Sequence, residues 1–168
     1  MTVFVPCTVL LAKAWRDGGL PPRLVGYAAT VPMLDAHGLT PGDEEEGDFT
    51  ALNYAATAAL SLWAPGDRRL VLAIGREARH TVPRGMTEQT AIEVGAVQLV
   101  DPQWRSVKSI FADEPAAAEA VVAAHAAVAG RTWPDAWEEP AIDTLVTGFD
   151  LLWYVPGELD ALAEEGMN

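Results

Sequence analysis

Apolar positions along the chain recur at two spacings, and these divide it into short strands and helices. Residues 2–5 form a β-branched and aromatic run that predicts a first strand. From Thr8, the residues Val9, Leu10, Ala12, Ala14 and Trp15 read as a short helix closed by Gly18-Gly19. Pro21-Pro22 breaks the chain, residues 24–31 predict a second strand, and 32–47, with two prolines and three glycines, predict a loop. Asp48 then fits a helix N-cap. Behind it Phe49, Leu52, Ala56, Ala59, Leu60 and Trp63 recur at three and four, the strongest amphipathic stripe in the chain.

Residues 69–74 (RLVLAI) are a near-continuous apolar run, the pattern of a strand covered on both faces. Residues 92–100 and 104–111 predict two further strands joined by a turn at Asp101-Pro102. Pro115 starts an Ala- and Val-rich helix over 116–129, closed by Gly130. Residues 131–148 carry two Trp, two Pro and several acids and fit no single element. Residues 151–155 (LLWYV) predict the last strand, and a short acidic helix follows from Pro156. No repeat and no long linker interrupts this order. It predicts one α/β (or α+β) domain over 1–168, a mixed sheet of five or six strands with helices packed on it.

Composition narrows the function. The chain has 168 residues, half of them hydrophobic, and 11 basic against 24 acidic residues give a formal net charge of −13. Phosphate backbones and anionic membranes are recognised by clustered cations, so nucleic acid and membrane partners are disfavoured. One cysteine, Cys7, allows no intrachain disulfide and reads as a small core residue. The apolar opening segment has no basic region before it and is too short to cross a bilayer, so a cytoplasmic protein is expected.

The order of several segments carries a resemblance. VFVPCT, YAATVPML, GDEEEGDFTALNYAATAALSLW, RRLVLAI, SIFADEPAAAEAVVAAHAA and DLLWYVPGEL follow one another over about residues 3–162. Together they resemble a family of short actinobacterial proteins of unknown function. The resemblance implies an alanine-rich α/β domain and an actinobacterial source, and it assigns no active-site residue. After RRLVLAI it implies little sequence or an acidic stretch, where this chain has GREARHTVPRGMTEQ.

No glycine-rich phosphate loop, GxGxxG, CxxC, HExxH or nucleophile elbow is present, so neither a cofactor nor a metal is implied. The acidic run 43–46 with Asp48 lacks the spacing of a calcium loop and suits a helix N-terminus. Asp35 and His37 read as ordinary turn residues, with acid–base work by an oriented imidazole as the alternative. His125 reads as a partly buried helix residue. Of the tryptophans, Trp133, Trp137 and Trp153, with Tyr154, cluster in the last third, where at most two are expected to wall a site.

Charge is unevenly placed. Residues 114–168 carry −10, whereas 68–84 carry +4 and five of the eleven basic residues. Arg76, Arg79 and Arg84, with His80, follow the buried strand, where forked guanidinium groups suit a carboxylate, phosphate or sulfate. The same cluster also serves as an internal partner for the acidic segments. Two functions follow. In the first, a cofactor-independent enzyme isomerises, eliminates or cyclises a small anionic metabolite. Its substrate is held by Arg76, Arg79, Arg84, Tyr54 and Trp153, and protons are moved by His80, Glu46 or Asp48. The resemblance places such chemistry in actinobacterial specialised metabolism. In the second, an acidic interaction subunit docks on another protein.

Overall fold

A computed structural model describes residues 1–165. In chain order its elements are β1 (Thr2–Thr8), α1 (Val9–Gly18), β2 (Arg23–Tyr27), α2 (Val31–Ala36), α3 (Glu44–Ala58), β3 (Arg69–Gly75), β4 (Arg79–His80) and α4 (Glu88–Glu93). There follow β5 (Ala96–Val100), β6 (Val107–Asp113), α5 (Ala118–Val128), α6 (Trp133–Ala136), α7 (Pro140–Gly148), β7 (Leu151–Tyr154) and α8 (Leu159–Glu165). The strands form one sheet in the order β4-β5-β2-β1-β3-β6-β7.

The α/β class is the expected one. The sheet has seven strands rather than five or six because β4, only two residues long, is too short for periodicity to mark, and it is antiparallel at every pairing rather than mixed. The apolar runs at its centre have two destinations. Val3, Val5 and Cys7 of β1 and Leu70, Leu72 and Ile74 of β3 face the helices α1 and α8. Phe4, Val71 and Ala73 face the opposite layer, built from α2 to α7. Alternate side chains of a strand point to opposite faces, so a strand covered on both sides needs apolar residues at every position.

The boundaries that moved are set by caps. Thr8 belongs to β1 and caps α1, its Oγ1 accepting from the Leu11 amide at 3.2 Å. Residues 32–47 are not one loop: the Thr30 side chain caps α2, accepting from the Met33 amide at 3.2 Å. Asp48 is not the cap of α3, which begins at Glu44. Thr40 and Asp43 organise that entry, Asp43 accepting from the Thr40 amide at 2.8 Å and from its hydroxyl at 3.0 Å. Phe49, assigned to the buried stripe, is 63% exposed: it lies in the first turns of α3, and the run of buried residues that packs on the sheet begins at Ala51. Residues 88–93 form α4, capped by Thr87, so β5 starts only at Ala96. β5 and β6 are not a hairpin: β5 pairs with β2 and β4, and β6 with β3 and β7.

Gly95 fixes the junction between α4 and β5. Its φ is +69°, a region that L side chains avoid, and a Cβ there would meet the main-chain carbonyl of Ala28. The Gly95 carbonyl accepts from the Ala28 amide at 3.0 Å. Only glycine lets α4 lie this close to β2, and α4 forms one wall of the cavity described next.

Two of the five arginines in the basic window are structural. Arg69 and Asp113 are 4% and 2% exposed and form a forked pair, with Nε at 2.8 Å and Nη2 at 2.6 Å from the two carboxylate oxygens. Arg68 donates to the Asp113 main-chain carbonyl at 2.6 Å and to Glu165 at 3.0 Å. For these two residues the internal-partner reading of the basic cluster holds.

Candidate functional site

The candidate site lies on the face formed by α2 to α7, where four of these elements meet above β2. His37 follows the last turn of α2, Tyr54 projects from α3, Thr90, Glu93 and Val94 come from the end of α4, and Trp133, Asp135 and Trp137 come from α6 and the residue after it. They enclose a cavity of about 310 Å³, near the lower end of the range that small-molecule sites occupy.

Its walls are aromatic because of helical spacing. Trp133 and Trp137 stand four residues apart, which puts their rings on one side of a single turn. Their centroids are 5.9 Å apart. Tyr54 packs against both, at 5.3 Å and 5.0 Å. Trp133 is fixed from below, its ring edge-on to Tyr27 at 5.4 Å and its Nε1–H donating to the Tyr27 hydroxyl at 2.9 Å. Burial pushes the Tyr27 phenol up to about 12, so it stays a neutral hydroxyl.

His37 sits at the rim. Its Nε2 is 2.9 Å from the Glu93 main-chain carbonyl and 3.2 Å from the Tyr54 hydroxyl. A carbonyl only accepts, so the neutral ring carries its proton on Nε2, and Nδ1 is the nitrogen able to take another. The Tyr54 oxygen accepts from the same N–H and keeps its own proton for a further partner. Burial raises the Tyr54 phenol above its ordinary range, and the Glu93 carboxylate raises it further.

The residues singled out from sequence are dispersed. Of those assigned to the anion site, Tyr54 alone lines this cavity, whereas Trp133 and Trp137, offered separately as pocket walls, and His37, the acid–base alternative, all line it. Arg76 and Arg79 line a separate depression at the β4 edge with Glu77 and Gln98. There the Arg76 guanidinium donates to the carbonyls of Val100 at 3.1 Å and Asp101 at 3.2 Å, and no aromatic ring walls it. His80, on the exposed edge strand, is 2.8 Å from Glu88. Arg84 is exposed and lies outside that depression. Glu46 lies at the exposed start of α3, beside Asp43 and Phe49. Trp153 is 60% exposed on β7, the edge opposite β4. Six strand spacings separate those edges, about 29 Å, so Trp153 and Arg79 do not share a small ligand. The expected convergence of these residues on one site therefore does not occur.

Asp48 is half-buried, and its carboxyl is raised by burial and by Glu44, against weaker lowering by the amino terminus and Lys108. An acid raised in the folded state binds its proton more tightly there than when unfolded, so its charge costs stability as pH rises through the carboxylate range. Asp48→Asn is accordingly expected to raise the melting temperature at about pH 7 and to have no effect below about pH 3, where both forms are neutral. Thermal melts at the two pH values check this; a lower melting temperature at neutral pH contradicts it.

His125 and Cys7 take the structural places expected of them. His125 packs edge-on against Trp63 at 5.0 Å, and burial pushes the Cys7 thiol far above its ordinary range, leaving it inert. No group of three or more potential metal ligands occurs among the described residues. No helix among them is long and apolar enough to cross a membrane.

Fold and site together define a layered α/β protein, a seven-stranded antiparallel sheet between two helical layers with an aromatic cavity in the thicker one. The profile of a family of unknown function (DUF6912) matches residues 1–163, and the chain belongs to that family. This agrees with the uncharacterised family indicated by the order of its segments. Searches of the curated proteins and of the solved structures found no match.

Proposed function

We propose that this protein binds a small metabolite in the Tyr54–Trp133–Trp137 cavity and acts on it by proton transfer without a cofactor, His37 being the group that exchanges the proton. The observation that carries this reading is the position of His37, whose tautomer is set by a main-chain carbonyl at the rim of an aromatic cavity. Isomerisation, elimination or intramolecular cyclisation needs no more than such a proton carrier and a positioned substrate. The cytoplasmic, specialised-metabolism setting in an actinobacterium rests on composition and resemblance alone.

The test is affinity selection from a metabolite extract, followed by mass spectrometry of what is retained and what is converted. Wild-type protein and His37→Gln are expected to retain the same compound, only the wild type converting it, and Trp137→Ala to retain at least tenfold less. Retention that survives Trp137→Ala but is lost in an Arg76→Ala/Arg79→Ala variant contradicts the reading and moves the site to the β4 edge.

A second reading, an interaction subunit, has one observation in its favour. At the outer edge of β7, Leu152, Trp153 and Val155 are exposed, within a segment whose acidity would suit a basic protein partner. A salt-sensitive complex with a basic partner, lost in Trp153→Ala, supports that reading; a complex indifferent to this residue contradicts it.

A further inference from the structure

The cavity's chemistry goes further than its role as a binding site and reverses the ligand charge expected from the arginine loop. Three aromatic residues line the cavity, with ring centroids 5.0–5.9 Å apart, two of the three pairs edge to face and the third tilted. The face of an aromatic ring is electron-rich and attracts a cation placed over it. Two carboxylate residues, Glu93 and Asp135, line the same cavity, and neither lysine nor arginine does. Arg131, which is close in sequence, is not part of the lining: its Nη1 is 2.7 Å from Glu139 and its Nη2 donates to the Asp135 main-chain carbonyl. Glu93 lies close enough to Tyr54 for its charge to add to the rise that burial gives the phenol. The formal charge of −13 adds to the same sign of potential. A carboxylate or phosphate ligand would meet this field with no guanidinium in the lining to hold it, whereas an ammonium group would meet aromatic rings and carboxylates together.

We infer that the cavity binds a small organic cation, an ammonium group seated against Tyr54, Trp133 and Trp137 with Glu93 and Asp135 supplying the opposing charge. The inference rests on the cavity being the ligand site proposed above, and it names the class of ligand that site takes. His37 lines the same space.

Three probes of similar size and different charge separate the two claims: tetramethylammonium, tert-butanol and pivalate. Each is titrated at constant ionic strength into uniformly ¹⁵N-labelled protein, and the indole N–H resonances of Trp133 and Trp137 are followed. Tetramethylammonium is expected to shift both, with tert-butanol at least tenfold weaker and pivalate weaker still. Glu93→Gln is expected to weaken tetramethylammonium binding about threefold or more. Trp137→Ala is expected to weaken it about tenfold, and Trp137→Phe, which keeps a ring, to restore most of it. If tert-butanol matches tetramethylammonium, the cavity stands as a ligand site and the cationic class is overturned. If pivalate binds best, the cationic class is overturned in favour of an anion. If no probe moves either indole, both the class and the site fall.

Discussion

Replacing Asp113 with alanine is expected to destabilise the fold by about 3–5 kcal/mol, the cost of leaving a buried charge without its partner. Arg69 is held between β3 and α3: its Nε and Nη2 meet the Asp113 carboxylate, and its Nη1 donates to the Ala56 carbonyl at 2.7 Å. Without Asp113 two of these three bonds disappear, and the guanidinium cannot reach water without opening the contact between α3 and the sheet. The loss comes from the unpaired charge rather than from the worth of the pair, so a double variant carrying leucine at 113 and methionine at 69 is expected to recover most of it. Chemical denaturation of the three proteins measures this. A single variant that loses less than about 1 kcal/mol, the scale of a solvent-exposed pair, contradicts the burial of this site.

Trp133→Ala is expected to cost about 3–5 kcal/mol, the range for removing a large aromatic side chain from a core. Its ring is 5% exposed and is packed against Tyr27, Tyr54 and Trp137. Its removal also strands the Tyr27 hydroxyl, which accepts the indole N–H. Trp133→Phe keeps the stacking but loses that hydrogen bond, and a smaller loss, about 1–2 kcal/mol, is expected. The pair of variants separates packing from hydrogen bonding. Equal losses in both would place the energy in the Trp133–Tyr27 bond and contradict the packing account.

The core was far more legible in the sequence than the site. The run at 69–74 and the Ala-rich segment at 116–129 appear as β3 and α5 because burial on one or both faces leaves a periodicity that survives in the residue order. The short helices were less visible: α2, α4 and α6 have four to six residues each, too few to show a period. They are marked only by the side-chain cap of Thr30, the side-chain cap of Thr87 and the Thr132-Trp133-Pro134 entry to α6. Those three helices supply most of the cavity wall, which is why Glu93 and Asp135 were not singled out.

In the sequence His37 reads first as a turn residue, with acid–base work only as the alternative, because its partners, the Glu93 carbonyl and the Tyr54 hydroxyl, are 56 and 17 residues away. The one local signal was the spacing of Trp133 and Trp137. The arginine loop does not converge as expected for a related reason. Residues close in sequence after a strand need not converge, and here the sheet turns back through β4, leaving Arg76 spent on two carbonyls and Arg84 outside the depression.

A crystal structure of the protein with the compound it retains from a metabolite extract tests the central claim most directly. The account predicts a ligand in the cavity lined by Tyr54 and Trp137, its cationic group facing Glu93 or Asp135 and a polar atom within hydrogen-bond reach of His37. A ligand seated instead against Arg76 and Arg79, with the aromatic cavity vacant, would contradict it.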